Sequence, residues 1–306
     1  MKKKYSDSPS DHIEPFFING LEGRVLKAKS KTKKSAQILL VGDLLDSIEQ
    51  NWPLINDLRR YGNVSCYDLP GIGGMTDFGK IDHDISVNSY ADYLASLIKL
   101  RYKKHKVILV GKGFGFVIIT RMLMRYPLLA KKIITVVCIN GEIHHDDLLL
   151  SIGDKKSLRM IFLIMSWQPF SFICRNLLKN KKLFSYLYNN SNLQLRNLVF
   201  RSQYALNHKA LMDLLENNNF TTHFRLLHEL LTLDNCISRI DVPLKRAYLK
   251  SDLINIDTQK QHMQVTYKNY RQYEIKQPKN PIVDVGEQSD LVLPSGLKRV
   301  LSNAKA

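Results

Sequence analysis

The sequence predicts an α/β fold: a mostly parallel sheet with helices on both faces, interrupted by a helical cap. Three observations carry this expectation. Apolar runs of strand length alternate with helix-period segments from residue 37 to residue 140, the pattern of a parallel sheet whose crossovers are helices. The central run, Lys106 to Val110, breaks at Gly111-Lys112-Gly113-Phe114-Gly115 into a second apolar segment, Phe116 to Tyr126, that stops at Pro127. Such a sequence reads as a buried strand, a very tight turn and a helix. From about Gly141 the rhythm changes, and residues 147 to 236 carry several helical patterns and no convincing strand.

Taken in order, residues 1 to 14 are polar and are expected to form a loose arm. Phe16 to Leu26 has a hairpin pattern, with Asn19-Gly20 as its two-residue turn. After a lysine-rich link, Gln37 to Val41 is the first strong strand, ended by Gly42-Asp43. Ile48, Trp52, Ile55 and Leu58 recur at helical spacing and predict a helix from Ile48 to Tyr61, stopped by Gly62. Asn63 to Tyr67 is a short strand, and Val87 to Tyr102 a helix with Tyr90, Leu94, Leu97 and Ile98 on one face. The organising strand and its helix follow, then a strand from Ile133 to Asn140. Beyond the cap the spacing predicts a strand over Leu244 to Leu249, a helix over 258–267, a strand over Gln272 to Lys276 and a last helix over 295–301. The core is therefore expected at 15–143 and 237–302, and the cap at 144–236.

Composition narrows the function classes. With 306 residues and 44% apolar content, the chain can bury one large core. Cys66, Cys138, Cys174 and Cys236 lie far apart without a C-x-x-C pair, as isolated buried thiols do. The basic N-terminus lacks an apolar core, and no apolar run reaches the roughly 20 residues of a membrane span, so a cytoplasmic location is expected. The formal charge of +17 favours non-specific attraction to nucleic acid or anionic lipid. The lysines are dispersed and the aromatics do not interleave with them, so no specific nucleic-acid partner is expected. Biased composition accounts for such a charge without any function.

Three glycines at alternate positions require close backbone approach or positive φ. Two kinds of site use that architecture: the nucleophile elbow G-x-S-x-G and the dinucleotide fingerprint G-x-G-x-x-G. The fingerprint's third glycine would fall at Phe116, and the motif lies mid-chain instead of opening its domain. Glu142 as a ribose-binding acid does not repair that mismatch. Glu142-Ile143-His144-His145-Asp146-Asp147 is the one local cluster of metal-ligand types, but adjacent residues rarely ligate one ion together, and no metal site is expected.

Asp68-Leu69-Pro70-Gly71-Ile72-Gly73, Arg125-Tyr126-Pro127 and Ile240-Asp241-Val242-Pro243 stand in order around the strand–G-x-x-x-G–helix unit. In this the chain resembles the α/β-hydrolase superfamily, specifically its members with a helical cap, from Phe16 to Leu301. The resemblance implies ester or related acyl hydrolysis as the ancestral activity, with no cofactor. It also exposes three departures. Gly113 stands where the family has its nucleophilic serine, so no covalent intermediate can form there. The triad histidine should fall near 277–282, which reads Gln-Pro-Lys-Asn-Pro-Ile, and no histidine follows His262. The oxyanion loop is Val41-Gly42-Asp43, whose carboxylate would repel a developing oxyanion, although backbone N–H donors at Asp43 and Phe114 could survive. Asp252 matches the family's acid position. The expected function is thus a non-catalytic member that keeps a pocket for a small apolar ligand or a protein partner. The competing reading is a hydrolase with unorthodox residues, His144 or His145 serving as base to a water. Met160 to Phe170 is expected to be cap core, with Trp167 and Phe170 lining the pocket. Its alternative is an interfacial segment, since Arg159, Arg175, Lys179, Lys181 and Lys182 beside it suit anionic lipid headgroups in a weak peripheral contact.

Overall fold

A computed structural model describes residues 7–33, 36–190, 198–199, 216–249, 255–275 and 293–303. The chain enters through a hairpin, β1 (Ile13–Ile18) and β2 (Leu21–Ala28). Asn19 and Gly20 form its turn with φ of 49° and 81°, the left-handed pair a two-residue hairpin of this twist requires. The arm expected to be loose through residue 14 is instead pinned from Asp7 onward. Asp7 pairs with Arg59, His12 stacks on Trp52 at 5.1 Å, and β1 has begun at Ile13.

Six further strands follow: β3 (Gln37–Val41), β4 (Asn63–Tyr67), β5 (Val107–Lys112), β6 (Ile133–Ile139), β7 (Ile240–Tyr248) and β8 (Tyr267–Glu274). They join one eight-stranded sheet in the order β1-β2-β4-β3-β5-β6-β7-β8. β2 runs antiparallel to both β1 and β4, and all pairings from β4 to β8 are parallel. The helices are α1 (Trp52–Leu58), α2 (Val87–Arg101), α3 (Phe114–Arg125), α4 (Ile152–Met165), α5 (Gln168–Lys179), α6 (Lys181–Asn190), α7 (Phe220–Leu230), α8 (Ile256–Thr266) and α9 (Ser295–Asn303).

Successive side chains of a strand leave on opposite faces, so a strand buried on both faces is apolar throughout. Leu39, Leu109 and Val136 face a core shared with α2, α3 and α7. Ile38, Leu40, Ile108 and Val110 face a second core closed by α1 and α9. Each such side chain contributes on the order of 1.5–3 kcal/mol through burial.

Three elements differ by four residues or more, and β7 is one of them: predicted over Leu244 to Leu249, it begins at Ile240. The helix predicted over 48–61 shortens to α1, because residues 43–51 are drawn into turns around Asp43 and Asp46 before Pro53 opens the helix. The strand predicted over 272–276 begins at Tyr267, directly after α8, since Tyr267 is fully buried and its hydroxyl meets that of Thr120 on α3 at 2.9 Å.

Candidate functional site

β5 delivers Gly113 to the top of the sheet with φ 50° and ψ −118°, and α3 starts at the next residue. This is the tight strand-to-helix turn the three glycines predict. Phe114 is wholly buried and held edge-on against Tyr90 (5.6 Å), which packs edge-on against Phe78 (5.0 Å). The Phe114 N–H, in the first turn of α3, points toward the end of β3.

What it meets there is the carboxylate of Asp43. Asp43 Oδ1 accepts from the Phe114 N–H at 2.7 Å and from the Leu44 N–H at 2.8 Å. Two convergent backbone donors at the elbow are the arrangement that would stabilise an oxyanion. Here the chain's own anion occupies both. Of the two positions expected to donate, Phe114 does so, but the second donor is Leu44, one residue beyond Asp43. The Asp43 N–H turns away to Asp46 Oδ2 (3.0 Å), because Leu45 adopts φ 59° and closes a turn over residues 43–46. The Asp43 carboxylate also fills the space a side chain at 113 would need: a Cβ there would lie 1.9 Å from Asp43 Oδ2.

Lys112, inside the elbow motif, supplies a counter-charge. Its Nζ donates to both oxygens of Asp46 (3.1 and 2.9 Å) and to Asn51 Oδ1 (3.3 Å). Burial alone would lower the lysine pKa, but the Asp46 carboxylate outweighs it and holds the pKa above its ordinary value. The adjoining cleft is lined by Asp43, Asp46, Asn51 and Asp68 together with the apolar Ile48, Leu69 and Ile72, so its carboxylates are set among apolar side chains.

Asp68 lies deepest. Arg24 Nε donates to its Oδ2 at 2.9 Å, yet burial dominates and pushes the carboxyl up to about 7. The folded chain therefore keeps a proton that the unfolded chain, with an ordinary value of 3.8, releases. Stability from this group is present at acid pH and is lost as pH rises through that window, at up to about 1.4 kcal/mol per pH unit. Asp68→Asn is expected to flatten the decline of melting temperature with pH across it. Parallel curves for variant and parent would disprove the assignment.

The histidines gather elsewhere. His262 on α8 places Nδ1 2.7 Å from Oδ1 of the fully buried Asp147, whose Oδ2 accepts from the N–H groups of Ile143 (2.8 Å) and His144 (3.0 Å). Burial raises the Asp147 pKa against these bonds. His144 lies tilted against His145 and His262, with ring centroids 4.2 and 4.5 Å away. Its pKa is lowered by burial first and by those neighbours second. Ligand atoms of His144, His145 and Asp146 come within 4.8 Å of one another. His144 Nδ1 already accepts from the Asp146 N–H at 3.1 Å, and Asp146 Oδ1 from Lys155 Nζ at 2.8 Å. The Asp147–His262 pair spans 115 residues and joins a short turn to a helix, so spacing could not reveal it. Asp252 and residues 277–282 lie outside the described residues. Trp167 and Phe170 stand 67% and 43% exposed at the corner between α4 and α5.

No protein-family model and no curated protein matches the sequence. Solved structures do. An alpha/beta hydrolase from Sphaerobacter thermophilus DSM 20745 aligns with a TM-score of 0.59 over 90% of this chain and 96% of its own, at 13% identity. A thermophilic esterase from Thermogutta terrifontis aligns at 0.55 over 86% and 88%, with 14% identity. An epoxide hydrolase aligns at 0.57 over 95% and 96%, with 12% identity. The chain has the α/β-hydrolase fold.

Proposed function

We propose that this protein is a non-catalytic member of its fold, a binding protein whose reaction centre is filled from within. The observation that carries the reading is Asp43, whose Oδ1 takes the N–H of Phe114 at the elbow and of Leu44 beyond β3, at 2.7 and 2.8 Å. Acyl transfer needs a nucleophile and a vacant oxyanion position. Gly113 offers no nucleophile, and the oxyanion position holds a negative charge that would repel another. What the fold retains is a rigid scaffold for a ligand or a protein partner.

The full-length protein should not be labelled by a fluorophosphonate probe, and it should not turn over short nitrophenyl esters with saturation. Saturable turnover abolished by His144→Ala, His145→Ala or Asp43→Asn would overturn this reading. It would instead support the competing one, a hydrolase that uses unorthodox residues.

A further inference from the structure

The filled elbow leaves the cap's outer surface unexplained. From Met160 to Met165, α4 presents six consecutive apolar residues, so it is apolar all round. Only one side is buried: Phe162 is 2% exposed and stacks near Phe224 of α7 at 6.1 Å. Met160, Ile161, Leu163 and Ile164 remain 40–60% exposed. The chain then bends by 96° at Trp167 into α5, and Trp167, Phe172, Ile173 and Leu177 are exposed as well. Exposed apolar side chains this numerous and contiguous mark an interaction surface.

The charge around this corner identifies the partner. Between residues 151 and 190 the sequence has Lys155, Lys156, Arg159, Arg175, Lys179, Lys181 and Lys182 against a single acid, Asp154. Lys155 is held by Asp146, while Lys156, Arg159, Lys179 and Lys182 are exposed. We infer that the α4–α5 corner docks in the plane of an anionic phospholipid bilayer, its apolar side chains entering the headgroup boundary and its basic side chains pairing with lipid phosphates. A second copy of the chain would bring the same positive charge to the contact. Nucleic acid would offer no acyl layer for the apolar side chains. No single helix among the described residues is long and apolar enough to cross a membrane; α4 and α5 pass that test only as a bent pair. With Phe162 tying α4 to the cap, the pair lies on the surface and does not span it.

The full chain supplies its own probe, because it has only two tryptophans. In a Trp52→Phe background, Trp167 emission should start red, as exposure requires, and shift to the blue on adding phosphatidylglycerol vesicles. Phosphatidylcholine vesicles alone should give little shift. Trp167→Ala with Phe172→Ala, followed by sedimentation, should weaken vesicle binding about tenfold or more at both low and high salt. Replacing Lys156, Arg159, Lys179 and Lys182 with Gln should weaken it to a similar degree at low salt only. Circular dichroism checks that each surface variant is folded. Emission already blue without lipid, and unchanged by it, would mean that the chain's own residues cover the face. A blue shift that follows protein concentration without lipid would assign the face to a second copy. Either result, or binding indifferent to both sets of substitutions, overturns the proposal.

Discussion

Gly113→Ser is expected to lose about 3 kcal/mol or more of stability, from left-handed strain and overpacking together. Strain alone follows from φ of 50°. The larger part comes from Asp43, because a Cβ at 113 would lie 1.9 Å from Oδ2 and 2.1 Å from Cγ. Asp43→Ala alone should lose about 1–3 kcal/mol, since it strands the Leu44 and Phe114 N–H groups without an acceptor. The double variant should be less destabilised than the sum, by a coupling of about 1–3 kcal/mol, because serine then occupies the space the carboxylate leaves. Urea unfolding of the four proteins measures that coupling. Losses that add within about 0.5 kcal/mol would show that Asp43 does not fill the elbow. The double variant should still not hydrolyse esters at a triad's rate, because a serine without a base is a weak nucleophile.

Much of the scaffold was legible because its signals are local. β3 and β4 fall on the residues their apolar runs mark, and α2 and α3 begin and end within two residues of expectation. The alternating glycines announced a tight approach, and the structure shows what is approached. The candidate site was legible only as a set of departures. That Gly113 lacks a nucleophile is plain from its identity. That Asp43 closes the oxyanion position depends on the turn at Leu45, which sends the side chain to the elbow and the N–H away from it. Nothing in residues 41–46 announces that exchange. The Asp147–His262 pair was hidden by its separation along the chain. The run from Met160 to Phe170 misled for another reason: an apolar run signals that a face is to be buried, but not that the protein itself buries it. Trp167 and Phe170 therefore read as pocket lining and stand exposed.

The third glycine of the elbow should prove less replaceable than the second. A Cβ on Gly115 would meet Val41 O at 2.1 Å, the Val41 carbonyl carbon at 2.6 Å and Gly42 O at 2.7 Å. These are backbone atoms at the end of β3, which is paired on both sides, to β4 and β5. No rotamer change relieves them, and moving α3 outward would unpack Phe116, Val117 and Ile119, all fully buried. Gly115→Ala should therefore lose more than about 3 kcal/mol, beyond ordinary overpacking, and be recovered largely as insoluble protein. Asp43→Ala should not rescue it, in contrast to Gly113→Ser, because the obstruction is main chain and not a side chain that can be trimmed. Gly74→Ala provides the scale: at φ 93° with nothing within 4 Å of the new Cβ, it bears conformational strain alone. That control should lose about 1–3 kcal/mol. Soluble Gly115→Ala with a melting temperature near that of Gly74→Ala would show that α3 does not rest on the end of β3. The support that holds the Phe114 N–H against Asp43 would then have to come from elsewhere.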